Sequence, residues 1–177
     1  ETKSFILKGF AGTGKTSIVS GLIMAMKALG QNTVLLAPTG RAAKVLSNYS
    51  NHAAYSIHKV IYRQKSAGDF TFNVNYNSFK NTLFIVDEAS LIAGQTLGSP
   101  FGTGDLLADL MTFVRNGQNN RLILIGDSAQ LPPISLERSP ALDMDYLQAS
   151  FGCVEMTHLS SVVRQTAESG ILYNATL

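Results

Sequence analysis

The chain has 177 residues, 45% hydrophobic and 15% charged, enough apolar material for one globular domain with a substantial core. Its 14 lysines and arginines against 12 acidic residues leave a formal charge of +2, too little to announce a polyanionic partner, so any nucleic-acid site must be local. The lone Cys153 excludes an internal disulfide or zinc cluster; with no apolar run of membrane-spanning length and no amino-terminal signal, the expectation is a soluble cytoplasmic protein without membrane contact.

In chain order, an apolar run at 5–7 opens the chain and leads directly into a glycine loop, which reads as an excised piece with no domain before it. Further short β-rich runs fall at 33–37, 83–86, 122–125 and 153–156, each bounded by Gly, Pro, Asp or Asn. Continuous apolar runs of that length suit strands buried on both faces. Between them, apolar residues recur at three- and four-residue spacing over 15–29, 41–49, 55–62 and 105–115, predicting helices. Strand and helix in alternation imply a parallel α/β sheet.

Residues 69–76 alternate Phe70, Phe72, Val74 and Tyr76 with polar side chains, which reads as a half-exposed strand or hairpin outside the main sheet. The segment 94–104 holds four glycines and a proline and reads as a flexible loop. Cys153, inside the apolar stretch 151–156, reads as a small core residue rather than a reactive thiol. No internal repeat or charge block interrupts the pattern.

The segment Gly9-Phe10-Ala11-Gly12-Thr13-Gly14-Lys15-Thr16 has P-loop spacing and lies after a predicted strand and before a predicted helix. Its glycines let successive N–H groups curl toward phosphates, and the helix amino terminus adds partial positive charge. Lys15 then reaches the β and γ phosphates of ATP, and the Thr16 hydroxyl reaches Mg²⁺. A plain glycine turn is the bland alternative, disfavoured by the complete pattern. The loop alone does not choose between kinase, GTPase, transporter and helicase.

Asp87 and Glu88 end the apolar run 83–86, where open α/β sheets place their ligands. In P-loop enzymes an Asp at this point holds the metal, and a carboxylate directly after it can deprotonate the attacking water, making Glu88 the candidate general base. The alternative is a pair of acids that merely end a strand. A third run, 122–125, ends in Gly126-Asp127-Ser128-Ala129-Gln130-Leu131-Pro132-Pro133. Gln130 both donates and accepts, which suits a group sensing a γ-phosphate as well as it suits an ordinary loop amide. The paired prolines stiffen the exit.

Together these segments resemble the RecD-like branch of superfamily 1 helicases. GFAGTGKTS, through Ser17, is similar to helicase motif I, LLAPTGRAAKVLS to motif Ia, LFIVDEASLI to motif II and LILIGDSAQLPPI to motif III. AYSIHKVIY resembles this branch's Thr-Ile-His-Lys motif with Ser56 in the threonine's place, and Leu159-Ser160-Ser161-Val162-Val163-Arg164-Gln165 resembles motif IV. The resemblance spans nearly the whole chain. It implies a RecA-like three-layer sandwich with a mostly parallel central sheet, one motor domain over 1–177, and a γ-phosphate contact at Arg164. It further implies that a second motor domain, with motifs V and VI and a completing arginine, would follow Leu177.

The resemblance also implies single-stranded DNA as partner, gripped through motifs Ia and Ib, with Thr39, Arg41, Lys44, Ser56, His58 and Lys59 as candidate contacts. Hydroxyls and cations of this kind hold phosphates without reading sequence. Taken without the family pattern, Arg41 and Lys44 are a solvated helix face and His58 a hydrogen-bonded packing residue. Phe10 reads as packing, and His52 and His158 show no metal spacing.

An exonuclease subunit in a recombination complex, a stand-alone helicase and a relaxase-helicase share these motifs, so nuclease subunits stand among the admissible partners. RNA stays open as substrate, since viral superfamily 1 RNA helicases follow the same motif logic. The rival readings are a P-loop kinase or AAA-type ATPase, against which the GDxxQLPP segment speaks, and a noncatalytic nucleotide-binding module, against which intact Lys15, Asp87 and Glu88 speak.

Overall fold

In the computed structural model, which describes residues 3–64, 66, 68, 70–127, 129–130, 133 and 138–161, the apolar runs become strands and the spaced patterns between them become helices. The elements run β1 (Ser4–Gly9), α1 (Lys15–Ala28), β2 (Asn32–Ala37), α2 (Gly40–Ser50), β3 (Ala54–Ser56), α3 (Ile57–Ile61), β4 (Tyr62–Gln64) and β5 (Phe72–Val74). They continue through β6 (Thr82–Val86), a 3-10 turn (Ala89–Leu91), α4 (Leu106–Arg115), β7 (Arg121–Gly126), a second 3-10 turn (Pro140–Leu142), α5 (Met144–Phe151) and β8 (Val154–Leu159).

Six strands form one sheet in the order β3-β2-β6-β7-β1-β8, and every pairing in it is parallel. Period-2 alternation divides its side chains between two cores. Leu83 and Ile85 of β6 join Leu7, Leu35 and Ile125 against Val19 and Ile23 of α1 and Leu46 of α2. Phe84 and Val86 join Ile6 and Leu124 against Ile57 of α3 and Leu110 and Phe113 of α4. The result is the expected α/β/α sandwich of a RecA-like P-loop NTPase. Phe84 is fully buried at its centre, where truncation to alanine costs about 3–5 kcal/mol.

Helix starts are fixed by side-chain caps that the sequence supplies at the right residues. Thr39 accepts from Ala42 N at 3.1 Å, Asp105 from Ala108 N at 2.9 Å and Asp143 from Tyr146 N at 3.1 Å. Two segments depart from expectation. Residues 55–62 are not one helix: Tyr55 and Ser56 belong to the edge strand β3, Tyr62 starts β4, and only Ile57–Ile61 is helical. Parallel pairing of Leu36 with Tyr55 overrides the weak helical spacing.

The expectation of strands buried on both faces holds for β6, buried at all five positions, and fails for β8, where only Val154 is buried. As an edge strand carrying Glu155 and Thr157, β8 keeps much of its surface in solvent. Cys153, just before it, is exposed, so its assignment to the core is corrected.

The hairpin outside the main sheet is present: β5 pairs antiparallel with β4 through Tyr62 and Val74. The glycine-rich segment 94–104 is pinned to it. Phe72 N donates to Pro100 O at 2.8 Å and Gly102 N to Phe72 O at 2.7 Å, while the Phe72 and Phe101 rings stack at 4.8 Å. The carboxylate of Asp109, 2% exposed, holds this corner by accepting from Tyr62 Oη at 2.6 Å, Thr103 N at 3.0 Å and Thr103 Oγ1 at 2.9 Å. A buried charge is tolerated when its acceptor capacity is met in this way.

Candidate functional site

Because the strands are parallel, their carboxyl ends share one edge, and the order β6-β7-β1 brings three tips side by side. The β1 tip curls back into α1 through Gly12 at φ 82° and Gly14 at φ 87°, conformations that only glycine adopts without strain. Gly9 has no room for a Cβ, which would collide with Thr13 Oγ1 and come within 3.1 Å of Leu159 Cβ. Thr13 is buried and donates its hydroxyl to Phe10 O at 2.8 Å. Phe10 itself packs edge-on against His158 at 5.5 Å.

Lys15 lies back along this loop, donating to Gly9 O at 2.5 Å and Phe10 O at 2.9 Å. Its Nζ is also 3.7 Å from Asp127 Oδ2. Asp127, 5% exposed at the tip of β7, accepts from Ala129 N at 2.9 Å through its other oxygen. This aspartate, given no role in the sequence reading, links the β1 and β7 tips. The signal was present: it follows an apolar run just as Asp87 does.

At the tip of β6, Asp87 Oδ1 accepts from Glu88 N at 3.0 Å and Asp87 Oδ2 accepts from the Tyr49 hydroxyl of α2. Burial, followed by the Asp87 hydrogen bond, raises the pKa of Tyr49, while the Thr16 side chain is a hydrogen-bond neighbour of the same phenol. The phenol therefore stays protonated at neutral pH and remains a donor. Glu88 stands in the left-handed region at φ 56°, ψ 34°, an arrangement that costs a non-glycine residue about 1–3 kcal/mol and clusters at functional sites. Ser90, buried, donates to Gln130 Oε1 at 2.7 Å, which joins the β6 and β7 tips.

Asp87, Glu88, Gln130, Tyr49, Thr39 and Arg41 line one cleft of about 520 Å³. Neither Tyr49 nor Ser90 was found from sequence. Ser90 lies two residues beyond Glu88 and was within reach of the motif, whereas Tyr49 is separated from Asp87 by 38 residues and only the fold joins them.

The donor set at this edge suits magnesium: a hydroxyl and a carboxylate are hard oxygen ligands. Among the described residues no cluster of three or more His, Cys, Asp or Glu could hold a metal by itself.

The six candidate nucleic-acid residues are distributed over three clefts: Thr39 and Arg41 line the one beside Asp87 and Glu88, Thr39 and His58 line a second, and Lys44, Ser56 and Lys59 share a groove of about 350 Å³. Several are occupied in holding the fold. Ser56 caps α3 by accepting from Lys59 N at 3.3 Å, and Lys59 Nζ sits 5.1 Å from the centre of the Tyr55 ring. His58 packs edge-on against Phe101 at 4.9 Å, and burial lowers its pKa. Of the remaining candidates, Ser17 is exposed on α1, and Arg164, Ser128, Leu131 and Pro132 lie outside the described residues.

A family model described as AAA domain matches residues 1–175. The ATP-dependent RecD2 DNA helicase of Deinococcus radiodurans is 29% identical over 172 residues, covering 96% of this chain and 21% of that protein. The uncharacterized protein MJ1519 of Methanocaldococcus jannaschii is 31% identical over 142 residues, 73% of this chain and 11% of that one. The chain thus spans between about a tenth and a fifth of the length of these relatives.

Among solved structures, Bacteroides sp. Pif1 in complex with ADP-AlF4 matches 94% of this chain and 40% of its own, with a TM-score of 0.54 and 19% identity. Pif1 helicase from Candida albicans matches 92% and 37%, with a TM-score of 0.56 and 19% identity. These structures show the same fold, and the similarity to the RecD2 helicase agrees with the RecD-like resemblance. No helix among the described residues is long and apolar enough to cross a membrane.

Proposed function

The chain belongs to the AAA domain family, and from its motifs and its similarity to the RecD2 DNA helicase we propose that it is the first motor domain of a RecD-like superfamily 1 DNA helicase, binding and hydrolysing ATP to drive movement along single-stranded DNA. The whole of 1–177 acts as one RecA-like ATPase domain of a longer cytoplasmic protein, and a second motor domain, supplied elsewhere in that protein, completes the cleft. Nuclease subunits are partners if the parent works within a recombination complex.

In this reading the backbone N–H groups of Gly12, Thr13, Gly14 and Lys15 cradle the phosphates, with Gly9, Ala11 and Ser17 shaping and continuing the loop. Lys15 exchanges its contacts with Gly9 O and Phe10 O for the β and γ phosphates. Thr16 and Asp87 would hold Mg²⁺, which would supply charge neutralisation at the phosphates. Glu88 takes a proton from water as the water oxygen bonds to the γ-phosphorus. The bond from that phosphorus to the β–γ bridging oxygen breaks, giving ADP and phosphate. Gln130, held by Ser90 at 2.7 Å, faces the γ-phosphate, and Arg164 contacts it from the motif IV segment.

Thr39, Arg41, Lys44, Ser56, His58 and Lys59 grip DNA phosphates, which gives sequence-tolerant binding. The observation that carries the ATPase reading is the meeting of the β1, β6 and β7 tips through the Lys15–Asp127 and Ser90–Gln130 contacts. Phosphoryl transfer is catalysed mainly by positioning and charge stabilisation, and an arginine from a facing domain supplies orders of magnitude. The isolated domain is therefore a slow enzyme.

The test is phosphate release from Mg·ATP with and without oligodeoxythymidylate. Slow release that the oligonucleotide accelerates supports the proposal. Transfer of the phosphoryl group to an added acceptor favours a kinase, and nucleotide binding without release favours a noncatalytic module. Acceleration by RNA alone moves the substrate to RNA.

A further inference from the structure

On the reading above, Thr16 and Asp87 hold the magnesium of the bound nucleotide, and in this structure both face one phenol. Tyr49, in the last turn of α2, donates its hydroxyl to Asp87 Oδ2, and Thr16 is a hydrogen-bond neighbour of the same group. The other Asp87 oxygen is taken by Glu88 N at 3.0 Å. Magnesium requires near-octahedral oxygen ligands at roughly 2.0–2.1 Å and keeps several waters. A hydroxyl already bonded to the carboxylate that serves the ion therefore competes with the ion or one of its waters for that carboxylate.

We propose that the Tyr49 hydroxyl competes with magnesium for Asp87, so that loading of the magnesium nucleotide requires Tyr49 to release Asp87. The inference rests on the nucleotide-site reading and adds a residue to it. The side chain has somewhere to go: Tyr49 is 37% exposed and borders the cleft of about 520 Å³. Because the acceptor is a charged carboxylate, the contact is of the stronger kind, and the ion must displace it.

The experiment is a magnesium titration of the 177-residue chain and of Tyr49→Phe at saturating ADP, read by thermal protection. The variant keeps the ring and loses only the competing hydroxyl. Its half-saturating magnesium concentration falls by about tenfold, the scale of one hydrogen bond to a charged group, while protection by ADP without magnesium is unchanged.

Tyrosine emission gives a second readout, since the chain has six tyrosines and no tryptophan, and a phenol bonded to a carboxylate is quenched. Magnesium with ADP brightens the parent and leaves Tyr49→Phe unchanged. This signal decides the matter even where the variant is less stable.

Normal protection with an equal or higher magnesium requirement in Tyr49→Phe, or no brightening of the parent, overturns the inference alone. A parent that ADP and magnesium do not protect overturns the nucleotide-site reading and the inference with it.

Discussion

The strand-tip edge and the α2–α3 edge of this domain carry similar side chains, hydroxyls and cations, yet they use them differently. At the strand tips the backbone makes the site: Gly12, Gly14 and Glu88 hold positive φ, and Lys15, Asp127, Ser90 and Gln130 meet across three strands. At the α2–α3 edge the side chains make the fold. Thr39, which also borders the cleft beside Asp87, and Ser56 cap helices, His58 packs on Phe101 and Lys59 lies over Tyr55. A residue that already holds the fold can contact a ligand only where spare donors or acceptors remain. Substitutions at the first edge should therefore alter chemistry, and those at the second should alter stability as well as binding.

Glu88→Gln gives the largest expected effect. Steady-state phosphate release falls by roughly 10²- to 10⁴-fold, the range of a general base, while thermal protection by Mg·ADP is retained. Loss of protection as well would show that the residue shapes the loop rather than the chemistry.

Lys15→Ala removes charged contacts to phosphate and weakens nucleotide binding by about 1.5–3 kcal/mol in a calorimetric titration, and the unliganded melting temperature also falls, because buried Asp127 loses its cation. Ser90→Ala releases the Gln130 amide and withdraws one buried hydrogen bond, worth about 1 kcal/mol. Phosphate release slows several-fold under saturating ATP, and ADP affinity stays the same.

At the other edge Thr39→Ala costs about 1 kcal/mol of stability by denaturant unfolding, as loss of a helix cap does. Lys44→Ala leaves stability within about 0.5 kcal/mol and reduces the salt slope of oligodeoxythymidylate binding by about 0.7. If Thr39→Ala changed only DNA binding, the distinction between the two edges would fail.

The smallest effect is on pH dependence. Burial lowers the His58 pKa, so the unfolded chain takes up the proton first as pH falls. The contribution of neutral His58 is complete above about pH 6.5 and is lost as pH drops through the lowered folded value. Melting temperatures between pH 7.5 and 5 should accordingly fall more steeply for the parent than for His58→Gln.

The parts of this molecule readable from sequence are those where a local pattern determines a local shape. The run at 83–86 gave a buried strand ending in Asp87 and Glu88, and the spacing 9–16 gave the loop between β1 and α1. Positions decided by long-range contact were not readable. Tyr49 reaches Asp87 because α2 follows β2 and β2 pairs with β6, and no window around Tyr49 contains that fact.

The split of 55–62 into β3, α3 and β4 depends on pairing partners at Leu36 and Val74. The exposure of Cys153 depends on β8 standing at the sheet edge. Asp127 is the intermediate case, since its place after β7 was visible and its contact with Lys15 was not.

The central claim, that one triphosphate is held between the three strand tips, is tested most directly by a crystal structure of the chain with Mg²⁺ and a nonhydrolysable ATP analogue. The account predicts the γ-phosphate oxygens within about 3 Å of Lys15 Nζ and Gln130 Nε2, with Asp87 and Glu88 on the same side of the ligand. A nucleotide bound elsewhere, or bound at the loop with its γ-phosphate turned away from Asp87 and Gln130, would contradict it.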